Sequence, residues 1–78
     1  MRFYKGAYME IKLGKYRHFK GNEYVVIGIA KHSETLEPMV IYQSACYPNE
    51  LWARPASMWN DIVDKNGYNG PRFQYIKE

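Results

Sequence analysis

Three arginines are the residues best suited to bind an anion. Arg17 lies in a β-prone segment, Arg54 comes just before a proline, and Arg72 comes just after one. A guanidinium group can donate two parallel hydrogen bonds to a phosphate or carboxylate. Two of these arginines, if the fold brings them together, would therefore make an anion-binding site. In the structural alternative, each arginine pairs with a nearby acid such as Glu34 or Asp61, or donates to backbone carbonyls.

The most polar short motif is the run His32-Ser33-Glu34-Thr35. In an SH3-like domain this run would occupy the position of a specificity loop, which predicts contacts with a ligand. In the alternative, its hydroxyl groups and its carboxylate bind the loop's own backbone amides. One loop can have both roles. Tyr42, on the strand that follows, is a further candidate ligand-binding residue.

A metal-dependent or enzymatic function would have to use His18, His32 and Glu34. Two histidines and one glutamate form an incomplete zinc set, and the predicted strand register does not bring the two histidines together. The chain has no Gly-rich phosphate loop, and neither Ser33 nor Cys46 has the sequence neighbours of a nucleophile. We therefore predict no metal and no cofactor. A small enzyme or metal-dependent accessory domain remains the alternative.

An aromatic groove is a third kind of candidate site, because the chain contains 8 Tyr, 3 Phe and 2 Trp. SH3-like modules dock extended peptides on aromatic surfaces, and nucleic-acid bases can stack there when basic residues flank the groove. In so thin a domain we expect both tryptophans and Phe73 to be mainly buried. The remaining candidates for surface aromatic residues are Tyr16, Tyr42 and Tyr47.

The composition describes one small domain with a thin core. The chain has 78 residues and a net charge of +3, with 11 basic and 8 acidic residues interspersed. A strong nucleic-acid binder would show a denser basic stripe. A shallow groove is expected rather than an enclosed cavity. The single Cys46 excludes an internal disulfide, and without a long apolar stretch we expect a cytoplasmic protein that does not bind a membrane.

Turn residues divide the chain into short segments that are typical of small β barrels. Residues 1–10 are interpreted as an N-terminal extension and residues 11–78 as a single domain. The order of segments predicts a small all-β fold, a five-stranded SH3-like barrel with one short helical turn before the last strand. An OB-like barrel is the nearest competitor. Strands are predicted over residues 15–20, 23–30, 39–45, 51–54 and 71–76, and a helix over 57–63.

Local signals set the expected details of this barrel. Gly21-Asn22 is predicted to form a two-residue hairpin turn with Lys20 opposite Glu23. Gly28 predicts a bulge or a close backbone approach. Ser57 is expected to cap the short helix through its hydroxyl group. Alternation along the strands predicts a mutually packed core of Val26, Ala30, Val40, Trp52 and Phe73.

Several motifs recur in an order that resembles the small bacterial family called domain of unknown function 1653. The pattern covers about residues 11–76, nearly the whole chain. The resemblance implies a compact β domain in bacteria, and it implies no established activity and no catalytic residues. It rests on the segment GKYRHFKG at 14–21, the HSET motif at 32–35, Tyr24, Ala30, Val40, Tyr42, Trp52, Arg54-Pro55, Met58 and Arg72-Phe73.

These observations predict a non-enzymatic binding module with a surface groove for an anionic or peptide ligand. The expected anionic group belongs to a nucleotide, RNA or an acidic peptide, so the partner is expected to be another protein or a nucleic acid. The predicted binding face joins the 32–35 loop, the corner at Arg54-Pro55 and nearby tyrosines. The predicted ligand-binding residues are Arg17, His32, Ser33, Glu34, Thr35, Tyr42, Arg54 and Arg72.

Overall fold

The computed structural model describes residues 11–78 of the chain. The predicted N-terminal extension, residues 1–10, lies outside this range. The described part forms a five-stranded antiparallel sheet in the order β4-β3-β2-β1-β7 and a separate two-stranded hairpin, β5-β6. The strands are β1 (Gly14–His18), β2 (Glu23–Lys31), β3 (Pro38–Ser44), β4 (Leu51–Pro55), β5 (Ile62–Lys65), β6 (Tyr68–Pro71) and β7 (Phe73–Lys77).

The small all-β class predicted from the sequence is confirmed. The large sheet is open, because β4 and β7 form its two edges and do not pair with each other within residues 11–78. The fold is therefore an open, five-stranded sheet rather than a ladder of strands closed into a barrel. One 3₁₀ turn, Ala56–Met58, follows β4 and leads to the hairpin.

The predicted helix over residues 57–63 is wrong. The 3₁₀ turn has no side-chain cap, so Ser57 does not act as an N-cap. The chain from Ile62 is extended and pairs with β6 in a hairpin. The turn of this hairpin is Asn66-Gly67, where φ is 52° and 83°. Asn-Gly with both φ angles positive is the favoured two-residue hairpin turn, and this signal outweighs the weak helical spacing before it.

The turn between β1 and β2 is longer than predicted, and the strand pairing beside it has a different register. Arg17, and not Lys20, lies opposite Glu23. The amide of His18 donates to the carbonyl of Asn22 at 2.7 Å, so the loop contains three residues. Gly21 has a φ of 106°, which suits the last position of a three-residue hairpin loop. The glycine therefore ends a longer loop rather than beginning a two-residue turn.

A bulge in β2 decides which side chains reach the core. The register against β3 shifts between Val26 and Gly28, so the bulge predicted at this glycine is confirmed. Such a shift moves all later side chains of the strand to the other face. Val26 is buried, but Ala30, which strict alternation places in the core, is exposed. The prediction for Ala30 is therefore wrong.

The core is an aromatic cluster packed on one face of the sheet. Val26, Val40 and Phe73 are buried as predicted. Trp52 was expected in this core and is instead 51% exposed, because it lies on the edge strand β4. Trp59, fully buried, takes the central position. The buried cluster consists of Tyr16, Val26, Val40, Ala56, Trp59 and Phe73.

Tyr16 was expected at the surface and is buried. It lies on β1, and its ring packs edge-on against Trp59 and Tyr75, with centroids 5.3 Å and 5.4 Å away. Its hydroxyl group donates to the carbonyl of Lys12 at 2.8 Å and accepts from the amide of the same residue at 3.1 Å. These bonds satisfy the polar end of a side chain whose ring is buried.

Candidate functional site

The fold brings two of the predicted arginines, Arg54 and Arg72, to the same acidic residue. A terminal guanidinium nitrogen of Arg54 (Nη2) donates to Oδ2 of Asp61 at 3.2 Å, and its Nε donates to the carbonyl of Met58 at 3.3 Å. The backbone amide of Arg72 donates to the carbonyl of Asp61 at 2.9 Å. We call Arg54, Asp61 and Arg72 the arginine cluster. The guanidinium of Arg54 bonds the Asp61 carboxylate, whereas Arg72 contacts Asp61 through its backbone. The charges of both arginines act on the nearby His18.

Arg72 is the member of the cluster whose charge lacks a local partner. Its Nε is buried and makes no hydrogen bond, and its side chain forms no ion pair within residues 11–78. Its guanidinium carbon lies 5.8 Å from the centre of the Phe19 ring, within the range of a cation–π contact. A buried donor of a charged group that makes no hydrogen bond carries a desolvation cost. An anion bonded to the terminal nitrogens of this guanidinium would supply the counter-charge that Arg72 lacks.

His18 lies beside the cluster, and the positive charges of the two arginines affect its pKa. Burial lowers the pKa of this imidazole below its ordinary value of 6.5, and the positive charges of Arg72, Lys20 and Arg54 lower it further. Its Nδ1 accepts a hydrogen bond from the amide of Lys20 at 3.1 Å. The imidazole is therefore held neutral in a region of positive potential, and its pKa reports that potential.

Tyr42 joins the aromatic core to the arginine cluster. Its ring is half-buried and packs edge-on against Trp59 and Phe73, with centroids 5.2 Å and 5.6 Å away. Burial raises the pKa of its hydroxyl group, against the opposing effect of the Arg54 charge. The phenol therefore stays protonated and keeps a hydrogen to donate.

The other predicted ligand-binding residues lie apart from this cluster. Arg17 donates to Glu23 at 2.8 Å. In the 32–35 loop, Nδ1 of His32 accepts from the amides of Glu34 and Thr35, at 3.1 Å and 3.3 Å. The hydroxyl group of Thr35 also accepts from the amide of Glu37 at 3.3 Å. These bonds match the alternative in which the loop binds its own backbone, with the His32 ring as a further acceptor. Within the described residues, no hydrogen bond or ion pair joins Ser33, or the rest of this loop, to the arginine cluster.

The arrangement of acids, cysteines and histidines gives no metal centre in the described range. Among residues 11–78, no three His, Cys, Asp or Glu side chains lie close enough together to hold a metal ion. His18 and His32 each use Nδ1 to accept from backbone amides of their own loops. The two imidazoles therefore act as local loop acceptors.

A second site, which the sequence predicted in part, is a groove of about 510 Å³ between the β1–β2 turn and the β3–β4 loop. Tyr47 was among the candidates for surface aromatic residues, whereas Trp52 was expected in the core and Tyr24, Cys46 and Glu50 were not candidates. The turn between β3 and β4 is the sequence feature that could have indicated this groove. We call it the Trp52 groove; its lining residues are Gly21, Asn22, Glu23, Tyr24, Ser44, Ala45, Cys46, Tyr47, Glu50 and Trp52.

Fold and sites together describe a small all-β protein with an aromatic core, a cationic cluster and an open groove. No helix within residues 11–78 is long and apolar enough to cross a membrane. The family model described as a protein of unknown function, DUF1653, matches residues 14–75. The chain belongs to this family.

A solved structure agrees with this assignment. The chain is similar to a DUF1653 protein from Bordetella bronchiseptica whose crystal structure is known, with 35% sequence identity and a TM-score of 0.78. The match covers 90% of this chain and 92% of that one. Comparison with curated proteins gave no match. Family and fold are thus established together.

Proposed function

We propose that this protein is a non-enzymatic binding module that recognises an anionic group, a phosphate or a carboxylate, at the arginine cluster. The observation that carries the proposal is the guanidinium of Arg72, whose Nε is buried without a hydrogen bond. Arg54 supplies a second guanidinium, and its side chain is 22% exposed. Tyr42 supplies a protonated hydroxyl group near the charge of Arg54.

Charge balance supports an anion as the ligand. The positive charges of Arg72, Lys20 and Arg54 all act on His18, and the Asp61 carboxylate pairs with only one of them, Arg54. The bond from Arg54 to Asp61 joins one nitrogen to one oxygen at 3.2 Å, so it is not a bidentate pair. A phosphate or carboxylate can compete for such a guanidinium more easily than for one in a fork-to-fork pair.

The test is a titration followed by nuclear magnetic resonance. Inorganic phosphate, ADP, a short uridine oligonucleotide and a glutamate-rich peptide are added separately at low and high salt. Binding is expected to shift the side-chain signals of Arg54 and Arg72 and to raise the pKa of His18, because the anion offsets the nearby positive charges. The compound that binds most tightly identifies the class of molecule that supplies the anionic group. The dependence of its affinity on salt measures the contribution of charge.

Matched arginine variants complete this test. Arg72→Gln should weaken binding by about tenfold or more, since it removes a charge-assisted hydrogen bond. Arg72→Lys keeps the charge and loses the planar fork, so it should rescue binding in part. Arg17→Gln is the control, because Arg17 pairs with Glu23 away from the cluster. The proposal fails if no arm binds, or if Arg72→Gln folds and binds as the unmodified protein does.

A further inference from the structure

The Trp52 groove has aromatic walls that remain open to solvent. Trp52 is 51% exposed and Tyr47 is 72% exposed, and Tyr24 forms another part of the lining. Leu51, next to Trp52 on β4, is 59% exposed. The volume of about 510 Å³ lies within the usual range for ligand sites. Contiguous exposed aromatic and aliphatic side chains of this kind mark interaction surfaces.

The charges that line the groove are negative. Glu23 and Glu50 belong to the lining, which includes no Lys, Arg or His. Hydrogen bonding to Arg17, with the charge of Lys15, lowers the pKa of Glu23, so its carboxylate stays ionised. Both oxygens of Glu23 already face these cations, at 2.8 Å and 3.6 Å. Glu50 forms no ion pair within the described residues, so its carboxylate can accept an outside cation.

Aromatic faces beside a carboxylate form an environment that favours cations. The π faces of Trp and Tyr attract ammonium and guanidinium groups, and a neighbouring carboxylate adds a direct charge interaction. The same lining disfavours a phosphate or a carboxylate, because Glu50 would repel it. The groove therefore differs in sign from the arginine cluster, which favours anions.

We propose that the Trp52 groove binds an extended peptide segment of a partner protein through a lysine or arginine side chain of that segment. The cation lies against Trp52 and Tyr47 and near the carboxylate of Glu50. The backbone on either side of it is extended, because β4 is an edge strand whose first three residues are exposed. Edge strands and aromatic grooves are common docking sites for extended segments. This proposal does not depend on the arginine cluster.

The binding experiment uses short peptides with blocked ends, in which prolines flank one central residue and keep the chain extended. The central residue is lysine, arginine, leucine or glutamate. The lysine and arginine peptides should bind and shift the signals of the Trp52 indole and of the amides of Tyr24 and Glu50. The leucine peptide should bind more weakly, and the glutamate peptide should not bind.

Variants of the lining separate the aromatic from the ionic contribution. Trp52→Ala should weaken binding of the lysine peptide by about tenfold, and Glu50→Gln by about two- to fivefold, since an exposed ion pair contributes less. Tyr47→Ala tests the aromatic wall independently if Trp52→Ala does not fold. Leu36→Ala and Glu34→Gln are matched controls, because these exposed residues lie in the 32–37 region outside the groove.

The single cysteine offers a second measurement in the same groove. Cys46 is exposed and lines the groove, so a bound lysine peptide should slow its alkylation by iodoacetamide. The proposal is overturned if the glutamate peptide binds as well as the lysine peptide, or if neither basic peptide binds. It is also overturned if both Trp52→Ala and Tyr47→Ala leave the affinity unchanged. Self-association that protects Cys46 without peptide would assign the groove to a second copy of the chain instead.

Discussion

Trp59 and Phe73 stack face to face, with ring centroids 4.1 Å apart and planes only 4° from parallel. Trp59 follows the 3₁₀ turn, and Phe73 is the first residue of β7. Both rings are buried, and Tyr42 packs edge-on against each of them. The stack therefore joins the segment that follows β4 to the opposite edge strand of the sheet. Residues of the arginine cluster directly flank this contact, since Arg72 precedes Phe73.

Removal of the Phe73 ring should destabilise the protein by about 3–5 kcal/mol, because a buried aromatic side chain is lost and a cavity remains. The free energy of unfolding can be measured with urea and followed by the fluorescence of the tryptophans. Tyr47→Ala is the control, since this side chain is 72% exposed. Equal losses for Phe73→Ala and Tyr47→Ala would show that the stack is not part of the core.

Alanine substitutions at Gly14, Gly21 and Gly28 should change the stability of the protein to different extents. A Cβ atom at Gly14, where φ is 125°, would lie 2.5 Å from the carbonyl oxygen of Lys77. Gly21 has a φ of 106° but open space around it, and Gly28 has open space and no positive φ. Gly14→Ala should therefore lower the free energy of unfolding more than Gly21→Ala, which should lower it by about 1–2 kcal/mol. Gly28→Ala should be neutral or slightly stabilising.

Urea unfolding of these three variants tests the order. The comparison of Gly14 with Gly21 isolates the effect of the close contact, because both backbones are strained for an L-amino acid. If Gly14→Ala proves no worse than Gly21→Ala, the approach of β1 to the end of β7 is not as close as the structure shows.

The folded protein should lose stability as the pH falls below about 6.5, because of His18. Its pKa is lowered in the folded state by burial and by Arg72, Lys20 and Arg54. Between the folded and unfolded pKa values the unfolded chain binds more protons, so acid favours unfolding until the pH falls below the folded pKa. Urea unfolding between about pH 8 and about pH 5 should show this slope.

His18→Gln is the test of that assignment. The variant should lose part of the pH dependence measured for the unmodified protein, because glutamine does not titrate. His32→Gln should leave the slope attributed to His18 in place. An unchanged slope in His18→Gln would assign the pH dependence to other groups. The same His18 signal also serves the anion titration, where its pKa should rise.

Ser57→Ala should change the free energy of unfolding by no more than about 0.5 kcal/mol, as is usual for an exposed position without special contacts. A helix cap would have cost about 0.5–2 kcal/mol on the same substitution. The structure shows an exposed Ser57 in a 3₁₀ turn that has no side-chain cap. A loss of more than about 1 kcal/mol in urea unfolding would indicate a capping bond that the structure lacks.

Much of the local structure followed from patterns that need no distant partner. Strand-forming segments and the bulge at Gly28 were predicted from alternation and turn residues. The hairpin formed by β5 and β6 was missed, although Asn66-Gly67 is a strong local signal. The weak helical spacing predicted a helix over residues 57–63 before this turn, whereas the φ values of the turn, 52° and 83°, suit a two-residue hairpin between strands.

The sites depended more strongly on tertiary structure. The sequence placed Arg17, Arg54 and Arg72 among the candidates but did not show which two would meet. The structure brings Arg54 and Arg72 to Asp61, through a side-chain bond and a backbone bond respectively. Whether an arginine side chain is exposed or forms an ion pair depends on the twist of the sheet and on the path of the chain between β4 and β7. Residue spacing predicts neither of these.

By itself, the sequence determined the small all-β class, the family resemblance and the aromatic character of the core. These follow from residue types and short-range alternation, which act within a strand or a turn. Tertiary structure alone decided that Trp52, expected in the core together with Trp59, is exposed, and that the groove and the arginine cluster carry opposite charges. The physical reason is that burial depends on which strands become edges and which faces are covered. Both are set by pairing between distant segments of the chain.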